Sequence, residues 1–367
     1  MVDLQSRFRG CIAASWAGSA MGAAVEGWSR QRIAETYGVL DSFQSYRHYA
    51  DVTDWQRPPG TTEDGIERQK LIATAIIEKG GRIHAGDLVA VWLRDLDPQR
   101  MRYKQEAFDA TLVELARAGV PPGELGRLWP WPNIISVARA SHPIGLINAG
   151  DPQSAADDTF EIGSAYIPRA SFGLRWAGLY NAAIAEACRP GATVDSVLEV
   201  ARRFATYRAD ATAPFARYDT IEKEVVRAVE LAGESADLTA LREAFYRHYD
   251  GGHYVTYGQS QANEIVSKGL AIFAATAGDP RAAIVAAVNF GRDTDCLAAV
   301  AGGLAGALSG PSALPPEWLD QVNRATLDDP YTNNRRTIEQ TADGLLEAFL
   351  ASRQSLAQSL KTMAARE

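Results

Sequence analysis

Cysteine is scarce in this chain. There are three in 367 residues, Cys11, Cys188 and Cys296, far apart, odd in number and without a CxxC pair. That argues against a disulfide framework and against a structural zinc site. Lys/Arg-rich runs are also missing, and the formal net charge is -8. Phosphate recognition needs a clustered basic face, so no nucleic-acid partner is expected. No stretch reaches the ~18 consecutive apolar residues of a membrane span. The N-terminal MVDLQSRFRGCIAASWAGSAMG lacks the apolar core and cleavage site of a secretory leader. The expectation is a cytoplasmic protein with no membrane partner. GxSxG, P-loop and HExxH signatures are absent too.

Strand signals are few, with no sustained Val/Ile/Thr alternation and no Asn-Gly hairpin turn. Helical periodicity is what the chain does carry. GIERQKLIATAIIEKG, residues 65–80, places Ile66, Leu71, Ile72, Ala75 and Ile76 on one stripe, with a glycine to stop it. Residues 193–207 open on a Thr cap and repeat apolar residues at helical spacing. Residues 220–232, 238–247, 262–277 and 280–288 read the same way. The fold class is all-α, with roughly ten to fifteen helices. Breakers at Arg57-Pro58-Pro59-Gly60, Val120-Pro121-Pro122-Gly123 and Gly310–Pro316 read as loops between helices, not domain linkers. One compact domain over residues 1–367 is the simplest organisation, with a tail from about Arg353 expected to fray.

Three segments carry chemistry. NFGRDTDCLAAVAGGLAGALSG, residues 289–310, sets Asp293 and Asp295 ahead of a helix of small residues. One carboxylate at such a helix start is an ordinary cap. Two beside a buried helix end point to a cation, because unpaired buried carboxylates are costly. RPPGTTEDGIERQKL, residues 57–71, presents Thr62, Glu63 and Asp64 where a helix begins. These are either cap and first-turn acids or a hard, oxygen-only ligand set suited to Mg²⁺, Mn²⁺ or Ca²⁺. GSAMGAAVEGWS, residues 18–29, runs through small residues to Glu26, which reads as a surface acid unless the other two segments meet it.

Taken together, G18-S-A-M-G-A-A-V-E26, T62-E-D-G65 and G291-R-D-T-D-C296 resemble the ADP-ribosylglycohydrolase family, as does the central ARASHPIGLINAGDP of residues 138–152. The resemblance covers nearly the whole chain. It implies a compact orthogonal helical bundle and a metal-dependent hydrolase. The bond cleaved would be N- or O-glycosidic, between ADP-ribose or a related riboside and a protein or small molecule. A non-catalytic structural member of the fold and a small-molecule nucleotide or glycoside hydrolase are the alternatives. The resemblance further implies two Mg²⁺ (or Mn²⁺) ions held by Thr62, Glu63, Asp64, Asp293, Asp295 and Cys296. Glu26, Glu63, Asp64 and Asp295 would do the chemistry, and Ser136, His142 and Gly291 would contact substrate. Four positions depart from the family pattern: Ser19 and Glu63 where Asp is usual, Gly65 for Thr or Ser, and Cys296 for Thr or Ser. A thiol is a poor Mg²⁺ ligand, so the second ion position is expected to be weakened, reshaped or empty. His142 reads either as a substrate contact or as a packed core histidine. Trp55, Trp129 and Trp131 read as packing residues or an adenine platform. HYDGGHYVTYGQSQANE, residues 248–264, has the composition of a substrate-lining loop.

Overall fold

A computed structural model describes residues 2–48, 53–101, 103–104, 107–209, 221–249 and 260–364. Eighteen α-helices and two 3-10 segments account for most of them. Among the described residues there is no strand, only isolated bridges between Tyr46 and Arg57 and between Ile134 and Gln261. The helix count exceeds the sequence expectation because of three helices, Pro98–Met101, Ser136–Ala140 and His142–Ile147. With four to six residues each, they are too short to show a period. The helices that periodicity placed fall where expected. Asp64–Lys79 ends at Gly80 in a left-handed conformation, and Val194–Phe204 begins at the Thr193 cap. The C-terminal helix Ile338–Ala364 continues past Arg353, where fraying was expected, although its side chains are mostly exposed from that point.

The N-terminal helix Leu4–Gly22 and the late helix Thr294–Ser309 form the core pair. The first starts at Asp3, whose carboxylate accepts from Ser6 N at 2.7 Å. Their facing surfaces are built from Gly, Ala and Ser, and the backbones nearly touch. A Cβ added at Gly22 would lie 2.4 Å from the Thr294 carbonyl oxygen and 2.5 Å from Asp295 N. Real side chains do not reach such distances, so any residue but glycine there would separate the two helices. The Thr294 hydroxyl donates to the Gly22 carbonyl at 2.7 Å and locks the pair in register. The small-residue run therefore fixes where Asp293 and Asp295 lie. It presses the start of the late helix against the end of the first, just before Glu26.

His142 lies inside this core and is fully buried. Trp16 Nε1 donates to Gln69 Oε1 at 3.0 Å, which orients the amide so that Gln69 Nε2 meets His142 Nδ1 at 2.9 Å. The ring proton then belongs on Nε2, facing Tyr180 Oη at 2.8 Å and the Ala299 carbonyl at 3.2 Å. Both ring nitrogens are thus occupied by the core, and the placement is that of a packed histidine, not a substrate contact. Burial pushes its pKa down to about 4, against an unfolded value of about 6.5. Between those values the unfolded chain binds the extra proton. The stabilisation is therefore complete above pH 6.5 and lost as pH falls toward 4, about 3 kcal/mol in all. Urea titrations should show His142→Gln losing less stability than wild type between pH 7 and pH 4.5. Equal losses would clear His142 of that role.

Candidate active site

Five carboxylates from three parts of the chain meet at the end of the core pair: Glu26, Glu63, Asp64, Asp293 and Asp295. Asp293 occupies the N-cap position of its helix but makes no side-chain cap hydrogen bond. Both of its carboxylate oxygens, and Oδ1 of Asp295, are buried with no hydrogen-bond partner among the described residues. The capping alternative therefore fails for this segment. Ligand atoms of Asp293, Asp295 and Cys296 lie within 4.8 Å of one another. Glu26 is not a surface acid, since its side chain is only 9% exposed. Burial, then the charges of Asp293, Glu63 and Asp64, push its carboxyl well above the usual range despite Arg139. Burial, then Glu26 and Asp293, do the same to Asp295. Orphaned oxygens and mutually repelling acids form a donor set that a hard cation fits.

The Thr62–Asp64 side is different, because protein groups already neutralise it. Glu63 stands at the start of its helix, again without a cap bond. Its Oε1 instead accepts from the Tyr46 hydroxyl and from Arg57 Nη1. Burial would raise this carboxyl, but Arg57, His48 and Lys104 outweigh it and hold it below the usual range. Ser19 Oγ accepts from Glu63 N at 3.3 Å, so this departure from the family pattern ties the first helix to the second segment. Thr62 is buried, and its carbonyl accepts from Lys104 Nζ at 2.5 Å. Lys104 in turn pairs with Asp329 at 2.8 Å. Asp64 accepts a charged hydrogen bond from Arg139 Nη2. Burial pushes the Cys296 thiol well up, and its sulfur accepts from Arg139 Nη1 at 3.0 Å.

The other expected contacts are scattered. Ser136 is buried at the start of the short helix that carries Arg139, its hydroxyl without a hydrogen-bond partner among the described residues. Gly291 takes φ +80° in the turn before Asp293, where a Cβ would meet Arg30 N at 2.6 Å. Next to it, Arg292 has φ +71°, unusual for a side chain with a Cβ. Arg292 is held by Glu264, with Nε to Oε1 at 2.6 Å and Nη2 to Oε2 at 3.1 Å. The same Glu264 accepts from the buried Lys268 at 2.6 Å. Trp129 packs edge-on against Phe108 at 4.7 Å, and Trp55 packs edge-on against Tyr331 at 4.8 Å. Trp131 is exposed. Of the expected substrate loop, residues 250–259 lie outside the described residues.

Sequence reasoning missed His48, whose Nε2 sits 3.4 Å from Glu26 and 3.8 Å from Glu63. It also missed Arg57, Lys104 and Arg139 as partners of the acids. Arg139 lies inside the central segment that carried part of the resemblance. Arg57 opens the second acidic segment but was read only as part of a loop breaker, and His48 and Lys104 lie outside the helices, where no period marks them.

Comparison with known proteins identifies the family and the fold. The ADP-ribosylglycohydrolase family profile matches residues 1–355. The ADP-ribosylarginine hydrolase Tri1 of Pseudomonas putida (strain GB-1) is 55% identical over 40 residues, a stretch that spans 11% of this chain and 11% of Tri1. A solved structure described as an ADP-ribosylglycohydrolase-related protein complex superimposes with a TM-score of 0.62 at 18% identity. The match covers 95% of this chain and 99% of that one, and it shows a shared fold.

Proposed function

The chain belongs to the ADP-ribosylglycohydrolase family and is a hydrolase, and from that premise we propose that it removes ADP-ribose from a modified substrate in a divalent-metal-dependent reaction. The observation that carries the metal reading is the pair Asp293 and Asp295, buried, with oxygens that no group of the described residues satisfies. Asp293 and Asp295 would hold the ion, and oxygen ligands favour Mg²⁺ or Mn²⁺. When bound, such an ion lowers the pKa of a water and orients substrate hydroxyls.

The chain's own groups supply the rest. Water oxygen bonds to the anomeric carbon, the glycosidic C–N or C–O bond breaks, and the departing atom takes a proton. Positive charge develops on the ribose ring as that bond lengthens. Asp295 and Asp293 place negative potential beside it in a site of low solvent access. Glu26 and Asp64 are less buried than Asp295 and Glu63, with side chains 9% and 14% exposed. Glu26, 3.4 Å from His48 Nε2, would move the proton. Arg57 and Tyr46 hold Glu63 and keep its segment against the first helix.

The relative named as an ADP-ribosylarginine hydrolase makes the arginine linkage the first substrate class to test. Purified protein should release free ADP-ribose from an ADP-ribosylated arginine peptide in Mn²⁺ or Mg²⁺ and stop when EDTA is added. Serine-linked and small-molecule ADP-ribosides belong in the same assay and define the linkage. Release unaffected by EDTA would remove the metal reading. No release from any of these substrates would remove the glycohydrolase reading.

A further inference from the structure

We propose that the site takes a single divalent ion, on Asp293 and Asp295, and that the Arg139 guanidinium is the built-in second cation. The inference rests on the divalent-metal reading above and concerns how many ions the acids accept. Arg139 is 6% exposed and lies between the two acidic segments. Its Nη2 donates to Asp64 Oδ2, and its Nη1 lies 3.8 Å from Asp295 Oδ2. One planar group therefore meets carboxylates from both acidic segments.

The surroundings are shaped to that side chain. A Cβ at Gly65 would lie 2.7 Å from Arg139 Cδ, 3.0 Å from Nε and 3.1 Å from Cγ, so a threonine or serine there would displace the arginine stem. Cys296 offers a soft sulfur, unsuited to Mg²⁺ but able to accept the Nη1 hydrogen at 3.0 Å. Glu63, one methylene longer than aspartate, is bound to Arg57 and Tyr46. Three of the four positions at which the sequence departs from the family pattern thus contact Arg139 or hold the neighbouring carboxylate on another guanidinium.

Equilibrium dialysis of the full chain against saturating Mn²⁺, with metal analysis and EPR, tests this. Wild type should bind one Mn²⁺ per chain and give the spectrum of an isolated ion. Arg139→Ala combined with Gly65→Thr and Cys296→Ser should bind a second, and the two should couple magnetically, as ions about 3.5–4 Å apart do. Arg139→Lys, which keeps a fixed cation, should remain at one. Two coupled ions in wild type would overturn the inference and leave the metal reading standing. No bound ion would overturn both. A folded triple variant that still binds one ion would show that Arg139 does not exclude the second. If that variant does not fold, the wild-type stoichiometry decides alone.

Discussion

Asp295→Ala should lower turnover by about a thousandfold or more, roughly 4 kcal/mol of barrier, and yet melt at a higher temperature than wild type in EDTA. The two effects share one cause. Burial beside Glu26 and Asp293 holds the Asp295 carboxyl well above its usual range, so ionising it in the metal-free fold is unfavourable. Removing it relieves that repulsion. With Mn²⁺ present the order of the melts should invert, because wild type gains the binding energy of the ion and the variant loses a ligand. Calorimetric melts with and without Mn²⁺, beside ADP-ribose release, give all the readings. Full activity in Asp295→Ala would make this residue an ordinary first-turn acid.

The largest loss of stability should come from a residue outside the reaction. Glu264 is fully buried and is shared by Lys268, itself buried, and Arg292. Glu264→Gln removes the carboxylate that Lys268 and Arg292 share. Breaking a buried pair from one side costs about 3–5 kcal/mol, whereas exchanging both members for apolar groups is far milder. Urea denaturation should therefore show Glu264→Gln well below wild type and Glu264→Leu with Lys268→Met closer to it. The network also holds Arg292 at its positive φ, one residue before Asp293. The single variant should consequently lose metal affinity as well. An unchanged denaturation midpoint would show that Lys268 is neutral in the fold.

The sequence made some of this site readable and hid the rest for physical reasons. Asp293 and Asp295 stand out because two charges before a run of Gly and Ala have no simpler explanation, and the small residues prove to be what brings Glu26 to them. The helix of residues 64–79 was visible in its apolar stripe and its terminal glycine. His142 was ambiguous because sequence does not show that Gln69, Tyr180 and Ala299 occupy its ring. Arg139 was invisible as a partner, since 157 residues separate it from Cys296 and no local pattern marks such a contact. Arg57 and His48 lie in loop segments, where side-chain direction is set by the fold and not by a period.

The contact between the first and the late core helices also sets a timetable. Thr294 and Gly22 are 272 residues apart, and a ribosome adding roughly 5–20 residues per second needs ~15–55 s to cover that distance. The first helix to emerge thus waits for one of the last to be made. The face it keeps for that partner is mostly glycine, alanine and serine, but the same helix carries Phe8, Ile12, Trp16 and Met21, all fully buried in the finished fold. Ribosome-arrested chains should leave residues 4–22 open to protease until the 294–309 helix has cleared the exit tunnel. Protection at a much shorter length would show that the first helix finds another partner while it waits.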